Sequence, residues 1–194
     1  MLRKPLAAQN EPVPYRFTVK DWHRLGESGL FEPRDRVELL DGEIIIMSPI
    51  GSRHAWCVTY LTELFVEQNR RRYFLWPGNP VEADNYSEPL PDLTIVPRTQ
   101  KNAKRHPKTR EALLIVEVAD SSLSHDRNRK LHKYAQAGVR EYWIVNLKQD
   151  VVEIYRSPKG DDYLDQSIAK AGDTVAPQAF PDLKLAVDDI IPAR

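Results

Sequence analysis

Two carboxylates stand where an apolar chain has least use for them. Asp92 follows Pro91 at the mouth of "LTIV", and Glu117 lies inside "LLIVEVAD", residues 113–120, a run otherwise fit only for a core. An ionised carboxylate taken out of water without a partner costs several kcal/mol. If the two runs are neighbouring strands, Asp92 and Glu117 meet at the sheet. Their repulsion is then relieved by protonating one of them or by binding a cation. Such hard oxygen ligands suit Mg²⁺, which takes one or two carboxylates, keeps several waters and shares substrate phosphate oxygens. Each acid also has a plainer reading. A strand carboxylate often pairs with an arginine or meets water, and Pro-Asp is a common turn pair. A third residue, Lys130, borders a helix face outlined by Leu131, Tyr134, Ala135 and Gly138. Its stem can run along the sheet and bring an ammonium beside the acids, where it would orient a water or stabilise charge on a phosphate. The plainer reading is a solvated helix lysine.

Positioning these residues requires elements that the pattern supplies. "TVKDWHRL" has Thr18 and Asp21 at capping-box spacing, so a short helix starts there and stops near Gly26 or Gly29. "RVELLDGEIIIM" is two β-prone runs around Asp41-Gly42, a strong hairpin signal. From Ser52 to about Arg70, Ala55, Val58, Leu61, Leu64 and Phe65 recur at helical spacing. "YFLWPGNPVEA" reads as extended chain broken at a Pro-Gly turn, and "PDLTIV" as a short strand opened by proline. The basic loop "RTQKNAKRHPKTR" leads to "ALLIVEVAD", apolar on both faces as a central strand is. Ser124 or Asp126 can cap the helix "RNRKLHKYAQA", with Gly138 just past its end. "EYWIVNL" and "VVEIYRS" are two further strands, and "FPDLKLAVDDI" offers a last one. The order predicts a mixed α/β or α+β domain in which residues 113–147 form a right-handed crossover between neighbouring strands. Residues 1–16 read as a flexible arm and 17–194 as one domain.

Composition bounds the partners. The 28 Lys plus Arg balance 28 Asp plus Glu, so a nucleic-acid partner must be met by a local patch rather than a basic whole. "RNRKLHK", "NRRRY" and "KNAKRHPKTR" offer such patches, and phosphate contacts draw on runs of this kind. The single cysteine, Cys57, excludes an internal disulfide and a cysteine-cluster zinc site. No apolar run approaches the ~20 residues of a membrane helix, and the N-terminus lacks a signal-peptide h-region. A soluble, cytoplasmic protein with no membrane partner is expected.

The string "VELLDGEIIIMSPIGSRH", then "EPLPDLTIV", "LLIVEVADSSLSHDRNRKLHKYAQAGVREYWIVNL" and "VEIYR" resembles the Uma-type family of restriction endonucleases, within the PD-(D/E)XK nuclease superfamily. The resemblance covers about residues 17 to 165. It implies a restriction-endonuclease-like core, a central mixed β-sheet flanked by helices. It further implies Mg²⁺ (or Mn²⁺) bound by Asp92, Glu117 and the Val118 carbonyl, with Glu38 as an upstream acid placing a second ion or the attacking water. Ala119 stands where the E-x-K pattern has lysine, and Lys130 on the following helix takes that place. His54 and Arg127 are candidates for a phosphate contact or for support of the metal site; for His54 an exposed first-turn histidine is the plainer reading.

The expectation is a Mg²⁺-dependent endonuclease hydrolysing phosphodiester bonds in DNA, and by analogy a homodimer. Two other readings stay open: an inactive nuclease-fold module binding nucleic acid or protein, and a metal-free hydrolase using two carboxylates as acid and base.

Overall fold

In the computed structural model, residues 12–32, 35–99 and 104–193 are described; the first eleven residues of the expected arm and residues 100–103 of the basic loop lie outside them. Helix α1 (Val19–Glu27) opens on the Thr18 capping box, with Thr18 and Asp21 bonded reciprocally. The Asp41-Gly42 turn joins β1 (Val37–Leu40) to β2 (Glu43–Ile46), and both turn residues have positive φ, 52° and 76°. That is the type I′ geometry whose twist matches paired strands. Helix α2 (Ser52–Glu67) buries Cys57, Leu61 and Phe65, one stripe of an amphipathic cylinder.

The centre is a six-stranded mixed sheet in the order β3 (Tyr73–Pro77), β4 (Leu93–Pro97), β5 (Leu114–Ala119), β6 (Glu141–Asn146), β7 (Val151–Lys159), β8 (Asp162–Lys170). Strands β5 and β6 pair in parallel, and every other neighbour is antiparallel. All six residues of β5 and of β6 are buried, as expected of central strands covered on both faces. Leu114, Val116 and Val118 face one core with Cys57, Leu61 and Phe65; Ile115 and Ala119 face a second core with Leu131, Tyr134 and Tyr142. Glu117 shares the second face by strand alternation.

The β5–β6 crossover is helical from Leu123 to Gln136, but not uniformly. A short α3 (Leu123–His125) passes into a π-helical segment, Asp126–Lys130, and then α4 (Leu131–Gln136). The expected caps are therefore misplaced. Ser122 occupies the N-cap without a side-chain bond to the helix backbone, Ser124 lies inside α3, and Asp126 opens the π segment. Gly138, at φ 76°, does follow the helix end. The last expected strand is reduced to Leu185–Ala186, paired with Thr174–Val175, before α5 (Val187–Ile190). Strand β8 has no counterpart among the expected elements. It is an edge strand with Leu164 and Ile168 largely exposed, so its apolar residues do not alternate as a half-buried strand should.

One glycine near the hairpin can be tested. A Cβ on Gly42 would meet Arg16 Cβ at 2.6 Å, whereas one on Gly29, with the same φ of 76°, meets nothing within 4 Å. Gly29→Ala should cost about 1 kcal/mol through backbone conformation alone. Gly42→Ala should cost about 2 kcal/mol or more, because the Arg16 backbone must shift as well. Urea midpoints of the two variants measure the difference, and equal midpoints would show that the Arg16 contact carries no weight.

Candidate active site

The β4–β5 register pairs Leu93 with Val116, so Asp92 and Glu117 fall at adjacent positions one step beyond. The Val118 N–H donates to Asp92 Oδ2 at 2.8 Å, tying the end of one strand to the next. Asp92 Oδ2 also meets His54 Nε2 at 3.1 Å, and Arg36 lies 3.9 Å from Oδ1. His54, expected to be exposed, has a side chain only 12% accessible.

Lys130 is fully buried rather than at a border, with 0% accessibility. Its ammonium lies 3.0 Å from Glu117 Oε1 and 3.1 Å from Glu38 Oε2. The π segment is what turns it inward: Asp126 and Lys130 are the buried residues of that segment and continue the face of Leu131 and Tyr134. Glu38 comes from β1, where the Leu39–Glu88 bridge holds the hairpin against the segment before β4. Glu38 also accepts from the Leu90 N–H at 3.0 Å and meets His125 Nε2 at 3.1 Å. Tyr134 donates to Glu117 Oε1 at 2.9 Å, so both donors crowd one oxygen and leave Oε2 outside those contacts.

The electrostatics are those of an acid-rich enclosure. Burial pushes the Glu117 carboxyl well above the usual carboxylate range; Lys130 opposes this, while Asp126, Asp92 and Glu38 add to it. Burial raises Asp126 as well. Burial acts on Glu38 in the same sense, but Lys130, His125 and the Leu90 N–H outweigh it and hold that carboxyl at about 2. The Lys130 ammonium is held charged above its ordinary range, since Glu117, Glu38 and Asp126 prevail over its burial. Glu117, Glu38 and Asp126 act on one ammonium, with Asp92 beside Glu117, so the enclosure is rich in the oxygen ligands that a divalent cation takes.

The fold thus brings Asp92, Glu117, Lys130, Glu38 and His54 together, with the Val118 backbone beside them. Arg127 is not brought in. It forks onto Glu153 of β7 at 2.6 and 2.9 Å and reaches Gln149. Sequence reasoning missed Asp126, Tyr134 and His125 as members of this cluster. Their signal was faint: Tyr134 read as packing and Asp126 as a cap.

The basic runs are largely occupied within the molecule. Arg129 pairs with Asp41 and Glu43, Lys133 with Asp41 and Asp84, Arg105 with Glu111, Lys108 with Glu82, and Arg72 with Asp182. Charge runs in the sequence therefore overstate the free positive surface.

The mixed sheet, with helices on both faces and a parallel pair at its centre, is the fold of the restriction-endonuclease-like nucleases. The sequence model of a family described as "Uma2: Putative restriction endonuclease" matches residues 19–188, and the chain belongs to that family. A crystal structure described as that of "a putative nuclease belonging to DUF820 from Anabaena variabilis ATCC 29413" superposes with a TM-score of 0.71 at 13% identity, covering 90% of this chain and 97% of that one. At that identity the likeness speaks to the fold. A type IIG restriction endonuclease, BpuSI, matches with a TM-score of 0.39 and 19% identity over 64% of this chain and 14% of its own, which carries no argument. A search of curated proteins finds no match. Among the described residues no helix is long and apolar enough to cross a membrane.

Proposed function

We propose that this protein is a divalent-metal-dependent endonuclease that hydrolyses phosphodiester bonds in DNA, with Asp92, Glu117 and the Val118 carbonyl as the residues that would hold Mg²⁺ or Mn²⁺. The observation that carries the reading is Lys130, an ammonium shut away from water yet bonded to two acids beside a third. Such an ion in this place would polarise a scissile phosphate and lower the pKa of a water.

The chain's own residues do the positioning. Lys130 fixes Glu117 and Glu38 relative to each other from 3.0 and 3.1 Å, while Tyr134 fixes the Glu117 rotamer. The Val118 N–H and His54 hold Asp92 Oδ2, and Oδ1 lies 3.9 Å from Arg36. Arg36, partly exposed and close to Asp92, is placed to meet a phosphate oxygen. Lys130 fills the role that the E-x-K lysine has at Ala119 in the superfamily pattern, reaching the same acid from the helix instead of from the strand.

The test is cleavage of supercoiled, linear and single-stranded DNA, and of RNA, with Mg²⁺ or Mn²⁺. DNA nicking that stops with EDTA and returns with excess metal is expected. Cleavage that survives EDTA would favour paired carboxylates acting without metal. DNA retained but never cut, in either metal, would favour a non-catalytic module.

A further inference from the structure

A second cluster lies apart from the carboxylates. His23 of α1, Glu88 of the segment before β4 and His106 of the loop before β5 converge from 65 and 18 residues away, each imidazole on its own oxygen of one carboxylate. His23 Nε2 is 2.8 Å from Glu88 Oε2, and His106 Nδ1 is 2.8 Å from Glu88 Oε1. Their ligand atoms all lie within 4.8 Å of one another. Glu88 is 2% exposed, while the two histidine side chains are 50% and 37% exposed. The imidazoles thus form the open side of the cluster. They line a groove of about 1120 Å³ together with Trp22, Phe74 and Trp76.

We propose that His23, Glu88 and His106 form a separate transition-metal site that takes Zn²⁺, with its fourth position open to the aromatic groove. Two imidazole nitrogens and one carboxylate are a borderline-soft donor set, which Zn²⁺ accepts and Mg²⁺ does not favour. Zn²⁺ bonds of about 2.0–2.1 Å in a tetrahedron require ligand atoms a little over 3 Å apart. Each imidazole nitrogen lies 2.8 Å from its own oxygen of Glu88 and the ligand atoms all lie within 4.8 Å of one another, so rotation of the two exposed rings about the buried carboxylate can gather them around one ion. Three protein ligands and an open position define an accessible zinc site rather than a closed structural one.

The site would also brace the nuclease centre. The Glu88 N–H donates to the Leu39 carbonyl at 2.8 Å, and Leu90 reaches Glu38, so an ion held by Glu88 clamps the segment that carries Asp92.

Titration calorimetry with Zn²⁺ on the metal-stripped full chain tests this, run beside Glu117→Gln so that the carboxylate cluster is accounted for. In millimolar Mg²⁺, which fills the carboxylate site, one equivalent should bind in both proteins. His106→Ala and His23→Ala should each weaken it at least about tenfold. With Co²⁺ in place of Zn²⁺, a visible d–d band should appear in Glu117→Gln and vanish in His106→Ala. Both histidines are partly exposed, so the circular dichroism of their variants should match wild type. Zn²⁺ binding that persists in the His23→Ala/His106→Ala double variant, or that Glu117→Gln abolishes, overturns the proposal. So does the absence of binding in wild type, whatever the outcome of the cleavage assay.

Discussion

Asp92→Asn and Glu117→Gln are each expected to lower metal-dependent phosphodiester cleavage at least about 10³-fold, some 4 kcal/mol of transition-state stabilisation. Both substitutions are isosteric. An amide oxygen in place of Asp92 Oδ2 can still accept from the Val118 N–H, and one in place of Glu117 Oε1 can still accept from Lys130 and Tyr134, so the local architecture survives. What disappears is the negative charge that a divalent cation needs. Stability is a separate readout for Glu117: burial disfavours its ionised form, and Lys130 keeps Glu38 as its partner, so the urea midpoint at pH 8 should fall much less in Glu117→Gln than in Lys130→Ala. Loss of cleavage with retained stability separates a role in chemistry from a role in folding. Single-turnover rates within tenfold of wild type in both variants would end the nuclease reading at this cluster.

Lys130→Ala should do the opposite damage, to the fold first. Removing an ammonium of zero accessibility leaves Glu117 and Glu38 facing each other in a closed site, a loss of about 3–5 kcal/mol at neutral pH. Lys130→Met keeps most of the volume, so any recovery in Met over Ala reports packing, and the shared remainder reports charge. The pH dependence identifies the cause. In wild type the Glu38 carboxyl is held at about 2, below its unfolded value, so its contribution is present above roughly pH 4.5 and is lost as pH falls through about 2. Without Lys130, the burial of Glu38 is opposed only by His125 and the Leu90 N–H, and that of Glu117 loses its main opposing charge, so both carboxyls rise. The folded variant then binds protons more readily than the unfolded chain, and its deficit shrinks as pH falls from 8 to 5. Urea midpoints across that range measure this. A constant deficit would mean that packing alone was lost.

Much of the architecture was legible because its causes are local. The Thr18–Asp21 box, the Asp41-Gly42 turn, the apolar stripe of α2 and the doubly buried run of β5 each arise within a few residues. The misses share another character. Ser124 and Asp126 read as caps because the π segment changes the helix register, and no residue type announces it. Strand β8 escaped because its apolar residues at 164 and 168 face solvent at a sheet edge. The basic runs promised a surface that internal ion pairs largely consume.

The sequence by itself determined the capped α1, the β1–β2 hairpin, α2 and strands β4 to β7, and the presence of acids and a lysine in segments where solvation would be lost. Capping, turn geometry and hydrophobic period act over three to seven residues, so they are written in the order of side chains. Only the tertiary structure decided that Glu38, Asp92, Glu117 and Lys130 share one enclosure, and that His23, Glu88 and His106 share another. Those meetings depend on strand register, on a parallel crossover and on one extra residue in a helical turn. Each brings together groups tens of residues apart, and burial then decides which of them keep their charge.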